Sequence, residues 1–106
     1  MKLDVVGFGA LNVDKLYWVD RIVGVGEESF IRGYVEAPGG SAANTVVGLA
    51  RLGHMVGYIG KVGGDPEGKL LLESFRDEKV DTGGIITSEE DSSGVVIGFV
   101  DGKGER

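Results

Sequence analysis

Twenty of the 106 residues are glycine, close to a fifth of the chain where ordinary proteins carry about 7%. They form no period and no low-complexity tract. They stand singly or in pairs at the ends of apolar runs, as at 24–26, 39–40, 63–64 and 83–84, where turns and close backbone approaches belong. Such punctuation confines the chain to short elements joined by tight connections. There is no internal repeat and no linker, and the length suits one small domain. The 42% hydrophobic and 26% charged content is ordinary for a globular piece with a modest core.

The net charge is −6 and the Lys and Arg residues are scattered, which argues against a nucleic-acid partner. The absence of cysteine excludes a disulfide framework and a thiolate metal site. The opening LDVVGFG is too short for a membrane-spanning helix and lacks a signal-peptide layout. The expectation is a soluble cytoplasmic protein with no membrane partner.

Periodicity gives the organisation. Residues 3–8 form a short apolar run ending in glycine, which suits a buried strand. Residues 29–37 (SFIRGYVEA) are β-branched and aromatic and predict a second strand. Ser41 is a good N-cap, Ala43, Val46, Val47 and Ala50 fall at helical spacing, and Gly53 supplies a stop, so the pattern predicts a helix over 42–52. Residues 55–59 read as a strand. Asp65-Pro66 reads as a cap with proline in the first turn of an amphipathic helix continuing through GKLLLESFRDEK. Short strands follow at 85–87 and 94–100. Strand, helix, strand, helix, strand predicts right-handed crossovers and a parallel sheet. After VVIGFV comes DGKG, hairpin-turn chemistry that promises a returning strand. This predicts the first part of a longer protein, since natural domains avoid an open final strand.

Three positions invite chemistry. At Gly39-Gly40, bare backbone at a helix start lets a ligand come within hydrogen-bonding distance of the amides, favouring anions or hydroxyl-rich ligands; a tight turn explains the pair equally well. A dinucleotide fingerprint fails because Asn12 stands where the third glycine of GFGALN belongs, and no Gly-Lys-Ser/Thr step completes a Walker loop. Asn12 and Asp14 follow the first strand, where open α/β sheets bind ligands, and a carboxylate beside an amide could grip sugar hydroxyls; the plain alternative is an Asx turn. Asn44 lies in the first helical turn, a poor place for asparagine unless it has another use. His54, the only histidine, reads as a solvated loop residue.

The stretch GGSAANTVVGLARLG…GKVGGD, with GALNVD upstream, resembles the pfkB family of carbohydrate kinases, the ribokinase-like group, over essentially the whole chain. Val46 departs from the Ser, Thr or Ala usual there. The resemblance implies an α/β fold: the N-terminal part of a three-layer αβα architecture with a mostly parallel central sheet and a β-rich lid. The chain, 1–106, would be an incomplete domain with lid segments at about 16–37 and 94–106. These carry Tyr17, Trp18, Phe30, Tyr34 and Phe99.

It further implies that Asp14 binds hydroxyls of the phosphate-accepting substrate with Asn12 beside it. Gly39 and Gly40 would be the di-glycine lying against that substrate, and Asn44 would reach the same pocket. Asp65 fits a glycine-aspartate step of the family and reads as a helix cap first. The family's second signature, with its catalytic aspartate, is absent. The nearest imitation, Asp81-Thr82-Gly83-Gly84, reads as a turn. No catalytic or metal-binding residue is therefore assigned. ATP and Mg2+ are expected for a full-length parent that phosphorylates a sugar or nucleoside, with this chain alone inactive. The resemblance also implies a homodimer formed through the lid. The alternative is a non-catalytic sugar-binding or lid-mediated dimerisation module, and the plainest reading is an α/β piece without activity.

Overall fold

The computed structural model describes residues 2–105. Position 106, at the end of the second expected lid segment, lies outside them. The elements run β1 (Val5–Phe8), β2 (Asn12–Val19), β3 (Ile31–Gly39), α1 (Ser41–Arg51), β4 (Val56–Gly63), α2 (Pro66–Asp77), β5 (Asp81–Ser88) and β6 (Gly94–Val100). They form two three-stranded sheets: sheet A in the order β1-β4-β5, and sheet B in the order β3-β2-β6.

Sheet A is the parallel sheet that the alternation predicts. β4 pairs in parallel with β1 and with β5. The path from β1 to β4 to β5 steps in one direction, so right-handed crossovers place both helices on the same face. Tyr58 shows that face: its ring lies 5.1 Å from Phe75 of α2. A Cβ on its neighbour Gly7 would meet both Val46 of α1 and Tyr58. The core gathers there from Leu11, Val13, Ala43, Val46, Val56, Tyr58, Val62, Leu71, Phe75 and Val80. Each such side chain contributes about 1.5–3 kcal/mol by leaving water. Among the described residues the opposite face of sheet A carries no helix and leaves Val6, Phe8, Ile59 and Ile86 exposed, Phe8 at 79%, so β1 is not the buried strand that its apolar run suggests.

Both helices end in the same way. In α1, His54 N–H donates to Leu49 O and Gly53 N–H to Ala50 O, with Gly53 at φ +96°. In α2, Val80 N–H donates to Phe75 O and Lys79 N–H to Arg76 O, with Lys79 at φ +63°. These paired bonds satisfy the last carbonyls and turn each chain sharply into the next strand. The start of α1 differs from expectation. Gly40 at φ +115° is the cap and Ser41 already belongs to the helix, its carbonyl accepting from Thr45 Oγ1. Asp65 caps α2 as expected, accepting from Gly68 N–H at 2.7 Å.

Sheet B differs from a simple reading of the chain. Residues 12–19 form a full strand rather than an Asx turn, antiparallel to β3 and parallel to β6. Residues 31–39 and 94–100 join this second sheet and not sheet A. Asp81-Thr82-Gly83-Gly84 opens β5 instead of forming a turn. The reason is local: Asp81 Oδ1 accepts from Gly83 N–H, and the ladder shifts register between Gly57 and Ile59. The turn signal was real, but it is absorbed as an irregularity inside a strand. After β6 the chain does turn, with Gly104 N–H donating to Asp101 O.

Candidate functional site

Asn12 opens β2 opposite Gly39, the last residue of β3, and Asp14 lies opposite Ala37. On the other side of β2, Gly94 of β6 faces Asn12 and Val96 faces Asp14. Residues two apart on a strand point to one side, so Asn12 and Asp14 share a face of sheet B. The Asn12 Nδ2 donates to Asp14 Oδ1 at 2.8 Å. That bond fixes the amide and leaves the second carboxylate oxygen free to accept.

Gly39 lies beneath this pair. A Cβ there would stand 2.6 Å from Asp14 Oδ2 and 2.8 Å from Asn12 Nδ2, closer than real carbon atoms approach. Only a residue without a side chain lets the amide and carboxylate lie flat against the backbone. Gly40 has a second reason for being glycine. Its φ of +115° suits no other residue, and a Cβ would meet Ala10 O at 2.6 Å. With glycine as the cap, no side chain hydrogen-bonds the first amides of α1.

Thus Asn12, Asp14 and Gly39 meet in direct contact, and Gly40 adjoins them along the chain. Asn44 is placed differently. It is exposed in the first turn of α1, on a groove between α1 and α2 that it shares with Pro38, Val47, Arg51 and Phe75. Among the described residues no hydrogen bond joins it to Asn12 or Asp14. His54 is exposed just after α1, in keeping with a solvated loop. Among the described residues no group of three or more His, Cys, Asp or Glu side chains converges as a metal ion requires. Among the described residues no helix is long and apolar enough to cross a membrane.

Two polar contacts beside the site escape sequence reasoning. Asp65 accepts from the Ser93 N–H through Oδ2 at 2.8 Å and from the Ser93 hydroxyl through Oδ1 at 2.7 Å. These bonds from Ser93, with that from Gly68, hold the Asp65 carboxyl below its usual range. Lys15 Nζ reaches Glu67 Oε1 at 2.8 Å, with both side chains about four-fifths covered. The bond raises the pKa of Lys15 and lowers that of Glu67. Both contacts span gaps of 28 and 52 residues, so no local spacing announces them.

A family model described as pfkB family carbohydrate kinase matches residues 2–106. The fructokinase of Salmonella typhimurium is 38% identical over 91 residues, covering 84% of this chain and 29% of that enzyme. The solved fructokinase of Halothermothrix orenii superposes with a TM-score of 0.79 at 31% identity, covering 96% of this chain and 35% of that one. The ribokinase of Cryptococcus neoformans var. grubii serotype A, solved with ADP, superposes at 0.83 and 25% identity over 98% of this chain and 33% of that one. The chain thus spans about a third of the length of the proteins it matches. It has their ribokinase-like fold, with the helices present on one face of sheet A. Since the family model matches from its second residue onward, the chain belongs to the pfkB family of carbohydrate kinases.

Proposed function

We propose that the protein carrying this chain transfers a phosphoryl group from ATP to a hydroxyl of a sugar or nucleoside, and that these residues supply part of the acceptor site. The observation that carries this reading is the Asn12–Asp14 pair laid over Gly39. A carboxylate accepts from hydroxyls and an amide both donates and accepts, so the pair suits a polyol. Gly39 gives this pair its room, Gly40 leaves the first turn of α1 without a side-chain cap, and Asn44 would join from that turn. Sheet B would act as a lid. The fructokinase relatives and the ADP-bound ribokinase support both the substrate class and the nucleotide.

Phosphoryl transfer needs a group to orient the acceptor oxygen and charges to neutralise the phosphoryl oxygens. Among the described residues no group of three or more His, Cys, Asp or Glu side chains converges, and the family's second signature is absent from this sequence. We assign Mg2+ and the phosphates of ATP to parts of family members that this chain does not span, and no step here runs through them.

The test is Asp14→Ala in the intact gene product, assayed with ATP and a panel of sugars and nucleosides. The expected outcome is a native fold with acceptor KM raised or turnover lost. Unchanged kinetics with every acceptor would remove Asp14 from the site. A second reading, pairing of two copies through sheet B, draws on its exposed apolar residues, including Trp18, Tyr34, Val35, Ile97 and Phe99. Light scattering that finds only monomer at high concentration excludes it.

A further inference from the structure

Sheet B contributes little to the core, yet it carries Asn12 and Asp14. Something must fix its position relative to sheet A. Two side chains in one helical turn reach it. Asp65, the cap of α2, holds Ser93 by both its backbone N–H and its hydroxyl, and Ser93 immediately precedes β6. The same hydroxyl accepts from Gly63 N–H at the end of β4, 2.9 Å away. Two residues beyond the cap, Glu67 holds Lys15 of β2. The turn is itself anchored, because Leu71 and Phe75 further along α2 are buried in the core.

The tied strands are the two that run side by side at the site. Gly94, next to Ser93, is the register partner of Asn12. A Cβ there would stand 3.0 Å from Leu11 O and 3.3 Å from Asn12 Cβ, so β6 passes directly over the backbone that presents Asn12. Lys15 follows Asp14 and points to the opposite face of β2. The Glu67 tie therefore pins the strand from behind while the polar pair faces outward. Ser93 is buried, and its hydroxyl accepts from Gly63 N–H and donates to Asp65, so breaking either bond leaves a buried polar group unpaired.

We propose that the first turn of α2 is the mount for sheet B, with Asp65 and Glu67 as positioning residues that set where Asn12 and Asp14 stand. This rests on the acceptor-site reading for its consequence in catalysis but not for its structural content. Removing Asp65 would also uncap α2 and could prevent folding, so the variant to make is Ser93→Ala, which leaves the Asp65–Gly68 cap in place. Glu67→Gln probes the second tie.

Hydrogen exchange on the intact gene product reads the mount without any sugar. Ser93→Ala removes the hydroxyl's bond to Asp65 and the bond it accepts from Gly63 N–H. It is expected to speed exchange about tenfold in β2 and β6 while β5, and β4 short of Gly63, keep their rates. Glu67→Gln, which removes the charge but leaves an amide oxygen able to accept from Lys15, should do so to a smaller degree in β2. Exchange that rises equally in both sheets, or is unchanged in β2 and β6, overturns the proposal. In a parallel assay with D-fructose, D-ribose and ATP, Ser93→Ala should raise KM for the sugar about tenfold with KM for ATP unchanged. A wild-type protein that phosphorylates neither sugar, yet shows the two-sheet exchange difference, would remove the acceptor reading for those sugars and keep the mount.

Discussion

Sheets A and B each have three strands, and the chain builds them by opposite means. Sheet A is all parallel, takes both helices on one face, and holds Val56, Tyr58 and Val62 at 2% exposure or less. Sheet B mixes parallel and antiparallel pairing, has no helix lying along it, and places only Val13 in the buried core among the described residues. Its remaining apolar residues stay partly in water, as with Phe99 at 46%. Sheet A is thus held by packing. Sheet B is held by strand pairing and by polar ties to α2. The residues suited to binding hydroxyls lie on the second sheet, at the end nearest the first. This division lets a stable layer carry a surface whose side chains are free to meet a ligand.

The largest test of the contrast lies in the core. Phe75 is 4% exposed and packs on Tyr58. Phe75→Ala should cost about 3–5 kcal/mol, by lost burial and the cavity left behind. Denaturant unfolding should show both sheets lost together, because α2 supports each. A variant in which sheet B unfolds alone would mean that its position does not depend on α2.

The adjacent glycines sharpen the contrast within two residues. Gly40→Ala forces φ +115° on a residue with a side chain and drives its Cβ into a backbone carbonyl, which should cost about 1–3 kcal/mol. Gly39→Ala meets the side-chain ends of Asn12 and Asp14 first, and these can give way where a backbone carbonyl cannot, so stability should fall by less. What moves, however, is the proposed acceptor pair. Gly39→Ala should therefore lower kcat/KM for the sugar by about a hundredfold at nearly native thermal stability. Equal stability losses for the two variants, with activity kept in Gly39→Ala, would place no chemistry at this glycine.

The sequence is legible where burial sets the pattern and opaque where it does not. The spacing of Ala43, Val46, Val47 and Ala50 predicts α1 to within a residue, and β6 falls on its expected 94–100. The cap at Asp65 reads directly from Asp-Pro. β2 is illegible because Asn and Asp are poor strand formers and neither of its faces is uniformly apolar. Lys15 and Tyr17 share one face with Val13, while Leu16 and Trp18 share the other with Asn12 and Asp14. At the candidate site, the resemblance proposes Asn12, Asp14, Asn44 and the glycines, and the structure adds why Gly39 must be bare. Ser93 and Glu67 stay hidden, since their partners are brought near only by the fold.

The smallest expected effect concerns where the molecule weakens in alkali. On sheet B, the Tyr34 hydroxyl donates to Glu36 Oε2 at 2.6 Å, and its ring lies 4.7 Å from Tyr17. The bond to Glu36 comes first, then desolvation, then the negative charge of the carboxylate; together they push the Tyr34 pKa up to about 12 from an ordinary 10. The folded state therefore favours the protonated phenol. Its contribution is fully present below pH 10 and is lost as pH rises from 10 through about 12. An ultraviolet titration of the phenolate should show a late step that disappears in Tyr34→Phe and moves toward 10 in Glu36→Gln. Tyr58 is the competitor, because burial in sheet A also pushes its phenol up. If the late step survives both substitutions it belongs to Tyr58, and the alkaline weak point lies in the packed sheet rather than the open one.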